Sequence, residues 1–246
     1  MVGFLVLCGL ALIIFLAYYN FWRLPRNPFW PRILMYHNTS DEPPCGMNIS
    51  PQKLEKHIQY LLAKGYTFLK ISDLISFDEA KKHVVLTFDD GFVGNYTHLF
   101  ELLKRYDVPA TIYLAPKIKD MRALSADHVK EMQMSGLVEF GAHTMTHVNL
   151  EKTDDKLAQK EITKSKEAVE ELTGVSCFSF AYPYGRYNER HVEMVRDAGF
   201  TTAVTTKKAI APFDILSPYT LPRLSINGCI NRIQFYLILS RGRYKL

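Results

Sequence analysis

The chain has 246 residues, 48% of them apolar and 22% charged, a composition that suits one or two compact domains and excludes a disordered tail protein. Its formal charge of +5 is unevenly spread: residues 1–32 and 215–246 carry eight basic side chains and no acidic one, while 33–214 carry 22 basic against 25 acidic. A basic surplus confined to two ends beside an apolar run is the pattern of attraction to anionic lipid headgroups, and with no RNP, zinc-finger or helix-turn-helix signature it does not describe a nucleic-acid surface.

Residues 2–22 contain no charged side chain, and as one helix they would reach roughly 31 Å, about one bilayer core. This predicts a transmembrane anchor over 1–22 and a single-pass protein of the cell membrane. A cleaved signal peptide would want a basic residue before the apolar run, whereas the first one here is Arg23. Arg23, Arg26 and Arg32 lie on the carboxyl side of the run, which leans the following domain toward the cytoplasm. Residues 23–32 form a basic and aromatic neck, bracketed by Trp22 and Trp30 as interfacial aromatics.

Ile33 to Tyr36 then reads as a short buried strand ending at His37 and a polar loop. Ser50-Pro51 starts a helix with Leu54, Ile58, Leu61 and Leu62 on one face, stopped by Gly65. Residues 66–71 and 84–88 read as strands, the second ending in Asp89-Asp90-Gly91. After a helical stripe at Leu99, Leu102 and Leu103 the unit recurs: strands at 110–115, 137–140, 177–182 and 201–205, helices near 125–134, 154–173 and 188–198. This alternation predicts an α/β fold, a single distorted parallel β/α barrel over 33–227, preceded by the transmembrane helix. Residues 228–246 form a basic apolar segment. Its core, Ile233 to Leu239, flanked by Arg232, Arg241, Arg243 and Lys245, suits either the membrane interface or a last helix packed on the barrel. Cys8, Cys45, Cys177 and Cys229 contain no CxxC pair, which argues against a disulfide framework and for a reducing compartment.

Four polar clusters fall where strands end, the face at which barrels carry function: His37, Asp89-Asp90, His143 with His147, and Tyr182-Pro183-Tyr184-Gly185. His143-Thr-Met-Thr-His147 spaces two imidazoles by four, which on a helical turn sets them on one face, as two ligands of one divalent metal require. Asp89 and Asp90 stand at a strand-to-loop junction, where adjacent carboxylates can part into a metal ligand and a proton acceptor. Each motif alone has an ordinary reading: an HxxxH pair as surface or capping histidines, Asp-Asp-Gly as a capping turn, His37 as the cap of a strand end.

Together and in this order, Thr87-Phe-Asp-Asp-Gly91, His143 to His147 and Ala181-Tyr-Pro-Tyr-Gly185 resemble the NodB-homology polysaccharide deacetylases, carbohydrate esterase family 4, over Ile33 to Ile226. The strand-Tyr-His opening, Leu34-Met-Tyr-His37, is similar to the branch of biofilm poly-N-acetylglucosamine deacetylases. The resemblance implies that Asp89 is the general base, that Asp90, His143 and His147 hold a divalent metal ion, that the backbone N–H of Tyr184 stabilises the oxyanion, and that His37 protonates the leaving amine. Two histidines and a carboxylate suit Zn2+, with Co2+ or Ni2+ able to take the same ligands.

Two departures stand out. The family's arginine two residues before the proline of the third motif is Ala181 here, which leaves Arg223 or Arg186 to orient Asp89. The family's late Leu-x-His is Leu224-Ser-Ile226, and no histidine follows His191, which makes His37 necessary as the acid. Asp197-Ala-Gly-Phe200 resembles the fourth motif, its plain reading being a helix that ends at Gly199. The implied activity is removal of an N-acyl group, acetyl above all, from an N-acetylated amino-sugar glycan, polymeric or lipid-linked. A deformylase of a lipid-linked aminosugar, an O-acetyl esterase and an inactive carbohydrate-binding barrel are the alternatives.

Overall fold

The computed structural model describes residues 2–19, 23–44, 46–212 and 217–243. Trp22, Cys45 and Lys245 therefore lie outside the described residues. The elements in chain order are α1 (Val2–Tyr18), β1 (Arg32–Tyr36), β2 (Asn38–Thr39), β3 (Asn48–Ile49), α2 (Pro51–Ala63), β4 (Tyr66–Leu69), β5 (Lys82–Phe88), α3 (Phe100–Tyr106), β6 (Ala110–Leu114), α4 (Ala126–Met134), β7 (Val138–Ala142), α5 (Asp155–Thr173), β8 (Ser179–Ala181), α6 (Glu189–Asp197), β9 (Thr202–Val204), β10 (Leu224–Ser225) and α7 (Arg232–Arg241).

Helix boundaries follow local chemistry. Ser50 caps α2 by accepting from the Lys53 N–H, Pro51 occupies its first turn, and Gly65 leaves it at φ +74°. The α5 helix starts on Asp154 and ends on Gly174, left-handed at φ +73°. Asp197 is exposed at the end of α6, with Gly199 at φ +80° beyond it, so the plain reading of that motif holds.

Eight strands form one parallel sheet in the order β10-β1-β5-β6-β7-β8-β9, with β4 pairing the amino-terminal half of β5 and β6 its carboxyl-terminal half, while β2 and β3 pair separately. The parallel α/β arrangement is what the alternation predicts, but the sheet is a partial barrel rather than a closed one. Among the described residues its two ends meet through residues 221–225. Leu221 donates to the Ala203 carbonyl and accepts from the Thr205 N–H, both at 2.9 Å, while Leu224 and Ser225 pair with β1.

Alternation along the strands sorts side chains between two cores. Leu34, Tyr36, Leu86, Phe88 and Ile112 pack outward against the helices. Ile33, Val85, Tyr113, Ala181 and Val204 point inward with Leu221, plugged from below by Ile71 and Leu74. Extending that alternation, Thr87 and Asp89 follow Val85 on the inner face, as His143 follows Glu139 and Gly141.

The transmembrane expectation is overturned. The apolar helix α1 has 17 residues, about 26 Å at 1.5 Å each, short of a roughly 30 Å hydrocarbon core, and among the described residues no helix is long and apolar enough to cross a membrane. Counting uncharged residues overstated the helix, which stops at Tyr18 while the uncharged run goes on to Trp22. The single-pass localisation and its cytoplasmic lean fall with it. At the other end, α7 packs on the barrel through Phe235, Leu237, Ile238 and Leu239.

His57 of α2 is buried against α7, its ring stacked on Phe235 at 3.8 Å and its Nδ1 3.1 Å from the Tyr36 hydroxyl. Burial, then the Lys53 charge, push its pKa down to about 3. The unfolded chain therefore binds a proton below about pH 6.5 that the folded chain refuses. The stability this site contributes is complete above that pH and is lost as pH falls from about 6.5 toward 3, by up to ~1.4 kcal/mol per unit. His57→Gln, which does not titrate, is expected to flatten the fall of the urea midpoint between pH 6.5 and 5; an unchanged slope would show that other groups set it.

Candidate metal and catalytic site

The inward row of β5 delivers Asp89 to the mouth of the barrel, where it is 3% exposed. Asp90 turns away from it because its backbone is left-handed, φ +75°, a conformation an aspartate tolerates better than most residues. Gly91, at φ +78°, continues the turn where a Cβ would lie 2.6 Å from a Leu114 methyl. Backbone handedness is thus what separates the two neighbouring carboxylates.

Arg223 is fully buried and grips Asp89 with both nitrogens of its fork, at 2.6 and 2.7 Å. The same guanidinium donates to the Thr87 hydroxyl at 3.1 Å and to the Thr205 carbonyl at 3.0 Å, and it lies over the Tyr113 ring. Gly141 makes room for that ring, since a Cβ there would come within 2.5 Å of it. Burial alone would raise the Asp89 carboxyl, but the charge and hydrogen bonds of Arg223 overcome it and hold the acid well below the usual carboxylate range. Arg186 instead reaches Glu151 on the surface, at 3.9 Å. Of the two cations left by the missing motif arginine, Arg223 is the one on Asp89.

Asp90, His143 and His147 come together with their ligand atoms all within 4.8 Å of one another. The Nε2 atoms of His143 and His147 lie 3.6 and 3.4 Å from Asp90 Oδ1, which is buried and has no hydrogen-bond partner. His143 Nδ1 is 2.7 Å from the Ala181 carbonyl; a carbonyl only accepts, so Nδ1 carries the proton and Nε2 presents its lone pair to Asp90. Burial lowers the His143 pKa to about 3 and lowers that of His147; burial and then the Asp89 charge raise Asp90 to about 7. Three ligand atoms thus converge on one buried space, an arrangement that favours a cation. Donors about 2.0–2.1 Å from a tetrahedral ion sit about 3.3 Å apart, close to the separations seen, so the three residues fit a divalent metal.

The helical turn expected for the histidine pair is absent. Residues 143–147 form a loop in which Thr144 and His147 are left-handed, at φ +58° and +57°, and it is this folding back that aims both rings at Asp90. Sequence reading missed the residue that holds the loop. Glu161, buried on α5, accepts from the Met145 and Thr146 N–H groups at 2.9 and 2.8 Å and from the Thr146 hydroxyl at 2.9 Å. Its signal in the sequence was only a carboxylate on the apolar face of a helix.

His37, half-buried, lies within electrostatic reach of Asp89 and Arg223; burial lowers its pKa while Asp89 counters. Tyr184 sits at φ +58° in a turn whose closing bonds are donated by Gly185 and Arg186, and its hydroxyl is 3.1 Å from His147 Nδ1. All six residues singled out in the sequence gather at one mouth.

A parallel α/β scaffold with an Asp-His-His cluster beside an arginine-held aspartate at its carboxyl face is the arrangement of a metal-dependent hydrolase. Residues 77–203 match the family model for polysaccharide deacetylase, half of the chain, and the chain belongs to that family; it is a carbohydrate N-deacetylase by class. The poly-beta-1,6-N-acetyl-D-glucosamine N-deacetylase of Staphylococcus epidermidis is 27% identical over 200 residues, 74% of this chain and 68% of its own. A polysaccharide deacetylase from Bacillus cereus superposes with a TM-score of 0.76 at 27% identity, over 85% of this chain and 68% of that one. The deacetylase PplD of Streptococcus pyogenes, solved in complex with acetate, does so at 0.74 and 26%, over 83% and 96%.

Removing the Arg223 fork would strand a buried carboxylate. Arg223→Met is expected to cost about 3–5 kcal/mol in unfolding free energy, read from urea melts, and Asp89→Asn in that background should recover part of the loss. Glu161→Gln keeps the shape of its side chain but weakens three charge-assisted bonds to the histidine loop. Metal affinity, measured by competition with a chromophoric chelator, should fall about 10–100-fold with the fold intact by circular dichroism; unchanged affinity would remove Glu161 from the support of the site.

Proposed function

We propose that this enzyme removes the N-acetyl group from N-acetylglucosamine units of a polymeric glycan, with Zn2+ as its ion. The observation that carries the reading is the unpartnered Asp90 Oδ1 facing two imidazole nitrogens, next to an aspartate kept ionised by Arg223. The relative named for poly-β-1,6-N-acetylglucosamine supports the choice of sugar.

A divalent cation on Asp90, His143 and His147 would polarise the amide carbonyl and acidify a water enough for a weak base to take its proton. Asp89 is that base. Its pairing with Arg223 keeps it deprotonated and lowers its proton affinity, so it serves as an acceptor that is always available. The developing oxyanion is met by the Tyr184 N–H, which the left-handed turn leaves out of its own closing bonds. His37 protonates the departing nitrogen; an amine leaves poorly without that proton, whereas an alkoxide needs less help.

The test is amine release from N-acetylglucosamine oligomers. Activity should vanish on chelation and return with Zn2+, and Asp89→Asn should lose about 10²–10⁴-fold in kcat. An inactive binding barrel would release nothing and be indifferent to Asp89→Asn; release from a lipid-linked acetamido sugar alone would move the substrate away from polymers. His37→Ala is expected to cost about 10²-fold on the amide and much less on an O-acetyl ester, and equal losses on both would remove His37 from the acid's role.

A further inference from the structure

Folding brings the two basic ends of the chain together. A groove of about 780 Å³ is bordered by Arg23 and Arg26 from the segment before β1, Lys207 and Lys208 after β9, and Arg241 and Arg243 at the end of α7, and no acidic side chain among the described residues borders it. The three segments are fixed by backbone contacts. The Arg26 N–H donates to the Ser240 carbonyl at 2.8 Å, the Gly242 N–H to Ile238 at 2.8 Å, and the Arg223 N–H to Lys207 at 3.1 Å. Gly242, left-handed at φ +85°, lies beside the 209–210 segment, where a Cβ would be in ordinary contact with the Ile210 nitrogen at 3.8 Å.

Arg23, Arg26, Lys207, Lys208 and Arg243 make no ion pair with a described carboxylate. Desolvation, and then repulsion from Arg243 and Arg26, lower the pKa of Arg23. Like charges held around one cavity raise its potential and favour an anion there. Four of the six are arginines, whose planar fork suits phosphate oxygens. The groove adjoins the turn at the barrel mouth: Thr206 and Ser225 are among its lining residues, and Thr206 abuts Gly185 of the Tyr184 turn.

We propose that this groove is a binding site for a linear phosphodiester polymer built on sugars or polyols, lying along the cationic wall and leading to the mouth of the barrel. Several phosphates spaced along a chain match cations spread over three segments, where a single phosphate would meet only a few of them. Among the described residues no aromatic side chain borders the groove, so these residues offer bases no platform to stack on, which favours a polyol backbone over a nucleic acid. The site goes beyond the deacetylase reading and does not depend on it, because retention of the polymer is measured directly.

The probe is poly(glycerol phosphate), titrated calorimetrically into the metal-loaded full chain. Binding should weaken log-linearly with salt with a slope reporting several released counterions. The triple variant Arg26→Gln, Lys207→Gln, Lys208→Gln should lose at least tenfold in affinity while releasing amine from neutral N-acetylglucosamine oligomers at the wild-type rate. Equal binding by wild type and variant would overturn the proposal. So would inorganic phosphate binding as tightly as the polymer, a single-stranded oligonucleotide binding more tightly, or retention on phosphatidylglycerol vesicles without any on the polymer.

Discussion

The Arg223–Asp89 pair is the interaction on which the rest of the molecule turns. It lies where the two ends of the sheet meet, and one guanidinium reaches the end of β9 through Thr205, the top of β5 through Thr87, and the carboxylate itself. Desolvating two charges costs several kcal/mol for each ion, and only bidentate geometry with every remaining donor satisfied offsets it. Part of that compensation comes from the stacked Tyr113 ring, which Gly141 admits by having no side chain. The few backbone bonds of 221–225 that join the two ends of the sheet are therefore reinforced by a side chain that also sets the charge state of Asp89.

Around this pair the backbone is held in uncommon conformations. Of the six described non-glycine residues with positive φ, four are Asp90, Thr144, His147 and Tyr184, so the departures from easy geometry concentrate at the mouth. Such residues cost of order 1–3 kcal/mol each and persist only where the surroundings over-determine them. For the histidine loop that surrounding is Glu161, a carboxylate on a different element that takes three hydrogen bonds from it.

Strand and helix alternation was legible because buried parallel strands are short apolar runs and the helices carry caps and an apolar stripe: the 154–173 and 125–134 helices of the sequence reading are α5 and α4 within a residue. The clusters at strand ends were legible for the same reason, since knowing where a strand stops places its last polar residue. Handedness was not. Spacing by four suggested a helical turn for His143 and His147, but the left-handed residues that replace it depend on a contact from Glu161, which no local pattern announces. The choice between Arg223 and Arg186 stayed open because it depends on where the chain's end returns to the sheet. At the amino terminus, absence of charge was mistaken for helix length, two properties that part company at Tyr18.

The separation of Asp89 from its counter-ion along the chain, 134 residues, has a consequence for biogenesis. During synthesis β1, β5 and the whole histidine loop leave the ribosome before Arg223 exists, so the emerging intermediate carries a carboxylate that its own folding would bury without a partner. Until Arg223 arrives, burying that carboxylate would require it to take up a proton. The ionised form of Asp89 is thus tied to the segment that reaches β10, the last strand of the sheet.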